Sequence, residues 1–579
     1  MNFNSLVKRA VSDRIGAVLY VLLVCLLLLK VLWGYWDRDL TYGDTSSYFQ
    51  DAVRWHLNHQ VNIVWSPLYT AYFGSWLGVS ENAITATFLH RIGLILISTG
   101  LIAWLGFITL PRLLAFALVA WWVVLPIHYD TLYEVHLFGA LPIYLMAIIC
   151  ILVNDRWRLP LLLCTALVST FLIRNEYILA VGVFIAIALF NLFRRNGSIN
   201  QSVQGVLLRF GSVLAITGLF VVSFYSISYI KGPDVAAIST PKHTVNMCQV
   251  YAFGYKQRHS DWSGSPWTDC STLMQSTFNI SQPTLREMIS ANPGAVAKHF
   301  IWNLSLTRAG MEVLLFNATS AKDNPDYIPV IVSPFFPSLL LVLSLSICVG
   351  GFIILSRKPH ASHLDLRENL TRLGPLLFAT LVMVFAVIVT QRPRPSYLLG
   401  FGVLYVWLVL SMLVVLTDKW RKLNDKWTYI FIFVVIMVLP TYRSLSLPSK
   451  TGSLSDIYQV LQSQSSRLCK GPGLFGVNDY LKEISLYLCS PLEVGGRQGA
   501  KSIISLGSLS EVALSSPVNF VDALNNSGVS TLIIEPYLIQ RHRGLKNCQE
   551  LRHALLSLGW EQLAYSSQND GRCIAAYVR

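Results

Sequence analysis

IGAVLYVLLVCLLLLKVLW, residues 15–33, decides the fold. An apolar run of this length matches the hydrocarbon thickness of a bilayer. In lipid its backbone groups find no water, so the segment must close its hydrogen bonds internally as a helix. It ends in Trp33-Gly34-Tyr35-Trp36, an aromatic cluster suited to a membrane interface, where a secretory leader would carry a small-residue cleavage site. The pattern recurs, as in YIFIFVVIMVLP at 429–440. The whole chain is 53% hydrophobic and only 13% charged, whereas soluble domains are charged at about a quarter of their positions.

The net charge of +14 raises nucleic acid as a partner, but its placement excludes that class. Short tracts around residues 8–14, 112, 155–158, 194–209, 357–372 and 418–426 hold 17 basic and six acidic residues. Clustering of Lys and Arg between apolar blocks marks those tracts as cytoplasmic. The blocks read as about 11 spans: 15–33, 84–107, 112–128, 137–153, 159–173, 176–193, 208–230, 328–356, 373–390, 396–417 and 427–445. With the N-terminus inside, every basic tract falls inside. The expected fold is thus a polytopic α-helical membrane domain over 1–447, with outer loops 34–83 and 231–327. A soluble extracytoplasmic α/β domain follows over 448–579. In that tail, strand-like stretches (Leu474–Val477, Thr531–Ile534, Ile574–Val578) alternate with helix-like ones (Ile457–Gln464, Asn478–Leu488, Leu551–Leu558). The expected location is the plasma (inner) membrane, with the tail on its periplasmic side.

Cysteine placement agrees with that sidedness. Cys248 and Cys270 share the third outer segment, 231–327, which follows 34–83 and the short 129–136, and Cys469, Cys489, Cys548 and Cys573 share the tail. Even numbers in outer segments suit disulfides in an oxidising compartment. Cys248–Cys270 is the single pairing within its loop, and the tail allows three connectivities.

Candidate chemistry gathers in the first outer loop. Asp37, Asp39 and Asp44 lie near the membrane, and Asp44, Tyr48, Asp51 and Trp55 recur at helical spacing. Ser66-Pro67-Leu68-Tyr69 reads as an extended turn that starts another apolar helix. A lone Asp before a helix is commonly just its cap. An acid cluster beside aromatic residues at a bilayer face points further, to a functional site.

These residues resemble a family. Tyr42-Gly43-Asp44-Thr45 with Tyr48, followed by Ser66-Pro67-Leu68-Tyr69, is similar to the first-loop signature of the GT-C glycosyltransferases. That superfamily includes the protein O-mannosyltransferases and the aminoarabinose transferases that act on lipid A. Arg174-Asn175-Glu176 resembles their Arg-Pro-Glu, with Asn175 in place of the proline. Asn292-Pro293-Gly294 with the amphipathic stretch after it, and Gln391-Arg392-Pro393-Arg394-Pro395-Ser396-Tyr397, resemble later motifs. The resemblance covers roughly 1–445 in layout. It implies a polyprenyl-phosphate-linked sugar donor, a glycan, lipid or protein acceptor, and inversion at the anomeric carbon. Asp44 is the expected base, with Asp37 or Asp39 next. Tyr48, Tyr69, Arg174, Glu176, Arg392, Arg394 and Tyr397 are expected to bind substrate, the arginines at the phosphate. Some relatives use a divalent cation at the first-loop acid, so a metal stays open.

Plainer readings stand beside these. Arg392 and Arg394 could snorkel at the interface. Arg174 and Glu176 could simply pair. His128, Asp130, Glu134 and His136 in the second loop could bind metal, although Glu134 and His136 lack the i, i+4 spacing of a helical zinc site. A secondary transporter would place polar residues and broken helices at mid-membrane, often in repeated halves; this chain has neither repeats nor much mid-depth charge beyond His90 and Arg91. A non-catalytic envelope assembly protein that displays the tail is the third alternative.

Overall fold

The computed structural model describes residues 18, 21–26, 28–29, 44–61, 63, 66–80, 82–125, 134–194, 199–231, 241–266, 269–322, 331–332, 334–357, 364–418, 457, 460–468, 474–477, 488, 503–506, 509, 513–541, 545, 547–567 and 573–579. In chain order the helices are α1 (Asp44–Asn58), α2 (Pro67–Leu77), α3 (Ala83–Thr109), α4 (Arg112–Val124), α5 (Glu134–Leu152), α6 (Asp155–Leu172), α7 (Tyr177–Arg194) and α8 (Ile199–Lys231). The segment expected to be the third outer one adds α9 (Pro241–Arg258), α10 (Cys270–Phe278), α11 (Leu285–Ala291), α12 (Pro293–Ser305) and α13 (Thr307–Phe316). A two-residue parallel pair, β1 (Ala318–Thr319) with β2 (Ile331–Val332), precedes α14 (Phe336–Arg357), α15 (Leu364–Thr390) and α16 (Pro395–Asp418).

Six of these helices hold stretches long and apolar enough to cross a membrane: Ala83–Thr109, Glu134–Leu152, Leu208–Ser228, Phe336–Arg357, Leu366–Thr390 and Pro395–Leu416. Expected spans 112–128 and 176–193 correspond to the shorter apolar helices Leu114–Val123 and Tyr177–Asn191. Expected span 159–173 lies in α6. Span 427–445 lies outside the described residues, as does most of 15–33, whose described positions are helical. One boundary differs. The span expected from 328 begins at Phe336, with Pro337 in its first turn, and Ile331–Val332 pairs as a strand instead. Proline is favoured at the start of a helix, where its missing N–H costs no hydrogen bond.

The helical core centres on α16, with 83% of its apolar stretch buried, against 11% for α8, which turns its apolar side outward. Indole donors tie the bundle together. Trp407 Nε1 donates to Thr109 Oγ1 at 2.7 Å, Trp122 Nε1 to Thr99 Oγ1 at 3.0 Å, and Trp121 Nε1 to the Leu315 carbonyl at 3.2 Å. Each indole buries a large apolar area while its one polar atom is satisfied.

The C-terminal part forms a five-stranded sheet ordered β4-β3-β5-β7-β6: β3 (Leu474–Val477), β4 (Ile503–Ser505), β5 (Val529–Ile534), β6 (Glu561–Ser567) and β7 (Cys573–Val578). β4, β3 and β5 run parallel, and β7 is antiparallel to both β5 and β6. Helices α17 (Pro517–Asn526), α18 (Pro536–Arg541) and α19 (Cys548–Ser557) accompany it, so this part is α/β. The strand expectations at 474, 531 and 574 coincide with β3, β5 and β7. The helix expected over 478–488 lies outside the described residues except Leu488. Cys548 is bonded to Cys573 and Cys248 to Cys270. Cys469 and Cys489 lie outside the described residues.

The third outer segment packs through a buried polar contact. Asn292 caps α12 by accepting from the Ala295 amide at 3.0 Å, and Val296, His299 and Asn303 form the helix's buried stripe. Asn303 Nδ2 lies 3.1 Å from His299 Nε2 and donates to the Val389 carbonyl at the end of α15 at 3.0 Å. Burial, and then the Arg258 guanidinium, pull the His299 pKa down to about 4. A histidine kept neutral when folded protects stability above its unfolded pKa near 6.5, and that contribution is lost as pH falls towards 4. Acidification from pH 7 to 4 should therefore cost roughly 3 kcal/mol through this residue. Thermal unfolding in detergent checks this: wild type should lose more stability than His299→Gln over that interval, and equal losses would contradict it.

Candidate active site

The junction between α6 and α7 is short. The Arg174 amide donates back to the Ser169 carbonyl at 2.8 Å, and the Tyr177 amide to the Arg174 carbonyl at 3.2 Å, so Arg174-Asn175-Glu176 forms a tight turn between the two helices. Tyr177 Oη then donates to the Gly139 carbonyl of α5 at 2.6 Å. A Cβ added at Gly139 would sit 2.7 Å from Arg174 Cδ. Glycine there lets the arginine stem lie flat across α5. Its guanidinium forms an ion pair with Glu176 and contacts His136 Nδ1. The electrostatic neighbours of Arg174 are Glu176, Tyr397, Tyr48 and Tyr177.

That set draws in the first and last motifs. Tyr48, on the helix that Asp44 opens, is buried and meets Tyr69 edge-on with ring centroids 5.3 Å apart. Tyr69 continues to Phe138 at 5.4 Å, two residues from His136. From the other side Tyr397 arrives at the first turn of α16. The Arg174 guanidinium carbon stands 5.4 Å from its ring centroid and that of Arg394 5.8 Å, both within cation–π range. The His136 ring meets it edge-on at 4.9 Å.

His136, Arg174 and Tyr397 border a pocket of about 470 Å³ of non-atom space, open mouth included, while Arg394 stands beside the Tyr397 ring without lining it. His136, Arg174, Glu176, Ser396 and Tyr397 form its polar part; Ile143, Met383, Val384 and Val387 form the apolar part. Two basic side chains around one phenol ring can take an anion, and the carboxylate and imidazole add acceptors for hydroxyl groups. Of the sequence-derived residues, Tyr48, Tyr69, Arg174, Glu176, Arg394 and Tyr397 come together. Arg392 goes elsewhere: its guanidinium lies 4.2 Å over the Phe253 ring of α9, and the side chain is buried. Asp44 opens α1, one turn before Tyr48, and nothing is described of its side chain; Asp37 and Asp39 lie outside the described residues. Ser66 departs from the extended backbone expected before a proline. Its φ of 53° is left-handed, an uncommon conformation for a residue with a side chain, at the point where α2 starts back along α1.

Two carboxylates take partners that sequence reasoning did not give them. Glu134 pairs with Arg91 at 3.0 Å, both almost fully buried. So Glu134 serves α3 and His136 serves Arg174. Among the described residues no three His, Cys, Asp or Glu gather to hold a metal; His128 and Asp130 lie outside them. The hint was Arg91 itself, since a cation inside an apolar block needs an acid. Glu312 is the second. It is fully buried and accepts from Ser338 Oγ at 2.6 Å, the Ser320 amide at 2.7 Å and Arg308 Nε at 2.9 Å. Burial alone would raise its pKa; the hydrogen bonds from Ser338, Ser320 and Arg308 outweigh this and hold it below the ordinary carboxylate range. Its partners span residues 308–338, which no local spacing reveals.

Comparisons with solved structures give long, loose alignments. An oligosaccharyltransferase AglB from the archaeon Archaeoglobus fulgidus, in complex with an inhibitory peptide and a dolichol-phosphate, aligns over 97% of this chain and 74% of its own, at 10% identity and a TM-score of 0.44. The apo form of an oligosaccharyltransferase from the same organism aligns over 92% and 71%, at 9% identity and 0.41. ArnT from Cupriavidus metallidurans in the apo state aligns over 96% and 97%, at 11% identity and 0.37. No family model and no curated protein matches the chain. Similarity at this level carries no argument about activity, and the functional reading rests on this chain's own residues.

The buried Arg91–Glu134 pair yields a stability prediction. Removing one partner leaves an uncompensated charge, which costs about 3–5 kcal/mol, whereas replacing both with apolar residues of similar volume is close to neutral. Glu134→Ala should lower the melting temperature of the detergent-solubilised protein far more than the double change Arg91→Met, Glu134→Met. A double variant as unstable as the single one would show that the pair is no isolated ion pair.

Proposed function

We propose that the chain is a GT-C-type membrane glycosyltransferase that moves a sugar from a polyprenyl-phosphate donor to an extracytoplasmic glycan, lipid or protein, with inversion. The observation that carries this reading is the meeting at Tyr397 of Arg174 and Arg394, which come from segments some 220 residues apart, with Tyr48 of the α1 helix within electrostatic range of Arg174. Under the topology with the N-terminus inside, Arg174, Arg394 and Tyr397 sit at the outer ends of spans and Tyr48 in the first outer loop. The enzyme is then an inner-membrane protein whose C-terminal α/β part faces the periplasm.

In this mechanism the donor's lipid stays in the bilayer and its phosphate enters between the two arginines. The Asp44 carboxylate takes the proton from the acceptor hydroxyl. The acceptor oxygen bonds to the anomeric carbon, the bond from that carbon to the phosphate oxygen breaks, and its electron pair stays on the phosphate. The arginines meet the charge that develops there, and preorganised charge of this kind supplies most of the rate enhancement in many enzymes. Glu176 and His136 keep Arg174 oriented. Asp37 and Asp39 are the alternative bases. No step is routed through a divalent cation.

A carboxylate base contributes on the order of 10²–10⁴ in rate. Asp44→Asn should therefore lower transfer of labelled sugar from a lipid-linked donor by at least about 10²-fold, with donor binding intact. Normal transfer by that variant would pass the role to Asp37 or Asp39. Flux of a solute through proteoliposomes without any lipid donor would replace the transferase reading with a transporter.

A further inference from the structure

The turn between α15 and α16 touches the third outer segment at three points. Asn303 of α12 donates to the Val389 carbonyl at 3.0 Å, just before the turn. Within it, the Arg392 guanidinium carbon lies 4.2 Å over the ring of Phe253 on α9. At Gly310 of α13 a Cβ would fall 2.1 Å from the Pro393 carbonyl oxygen, a distance no side chain tolerates. The turn closes on itself, with the Arg394 amide donating to the Arg392 carbonyl at 2.8 Å and the Tyr397 amide to the Arg394 carbonyl at 3.0 Å. Arg394 and Tyr397 therefore start from backbone whose path three outer-segment helices constrain.

We infer that Arg392 is a positioning residue: anchored on Phe253, it ties the third outer segment to the turn that presents Tyr397 to the pocket and sets Arg394 beside the Tyr397 ring. Two arginines at i and i+2 in one turn thus divide the work, one standing by the Tyr397 ring and one holding the turn against α9. Gly310 supplies the clearance that lets α13 reach Pro393. The inference rests on the proposed phosphate role of Arg394 for its binding readout only; the placement of the turn has a readout of its own.

The test uses the full chain in lipid nanodiscs. One readout is the affinity for a polyprenyl monophosphate. The other is the rate at which a water-soluble maleimide labels position 394 in an Arg394→Cys background, followed by mass spectrometry. A cation over an aromatic ring at a partly buried site is worth about a fivefold change in an equilibrium. Phe253→Leu and Arg392→Met should each weaken polyprenyl monophosphate binding about fivefold. They should also change the labelling rate at position 394, and Phe253→Tyr, which keeps the ring, should restore both values. Unchanged labelling with Phe253→Leu, or failure of Phe253→Tyr to behave as wild type, overturns the positioning role. If Arg394→Met leaves polyprenyl monophosphate binding unchanged, the phosphate reading falls, and the labelling rates alone decide on the turn.

Discussion

An ionised side chain among packed apolar helices must find a counter-charge, and much of this protein's architecture follows from that. Arg91 meets Glu134 in the buried interface of α3 and α5, and Arg174 meets Glu176 and His136 where α6 gives way to α7. Both arrangements converge on the first turn of α5, where Glu134 and His136 stand two residues apart. The start of this helix is therefore pinned from two sides, and the Gly139 surface one turn on receives the Arg174 stem.

The outer segment answers a second constraint. A long apolar helix ends in a turn rich in proline and arginine, and its two prolines, Pro393 and Pro395, have no backbone N–H to donate. Its shape comes from what leans on it: Asn303 at the carbonyl end of α15, Phe253 beneath Arg392, and the Gly310 crevice around Pro393. Trp302 Nε1, which donates to Gln257 Oε1 at 2.9 Å, and Arg258, which donates to the Lys298 carbonyl at 3.1 Å, tie α12 to α9, and the Cys248–Cys270 disulfide ties α9 to α10. The loop thereby acts as scaffold for the pocket, in keeping with the use of loops to carry function on a rigid frame.

Apolar length made legible the six helices that are long and apolar enough to cross a membrane among the described residues, and short motifs named six residues that do meet: Tyr48, Tyr69, Arg174, Glu176, Arg394 and Tyr397. What stayed hidden was pairing across distance. Nothing near Arg91 announces Glu134, and nothing in Gln391-Arg392-Pro393-Arg394 says which guanidinium turns towards α9. Strand β6 was missed because Glu561–Ser567 lies at the sheet's edge and keeps a polar, half-exposed pattern in place of an apolar run. Pro517–Asn526 escaped as a helix although Ser516 caps it and proline opens it. The start of α14 was misjudged by reading hydrophobicity through two prolines.

The central claim is that Arg174 and Arg394 form an anion site over Tyr397 at the outer end of the bundle. A cryo-EM reconstruction of the full chain in nanodiscs with a polyprenyl monophosphate tests it most directly. The phosphate should lie within hydrogen-bonding distance of both guanidinium groups and on the pocket side of the turn, away from Arg392. Phosphate density at Arg392 and Phe253, or a bound lipid whose headgroup avoids Tyr397 altogether, would contradict the account.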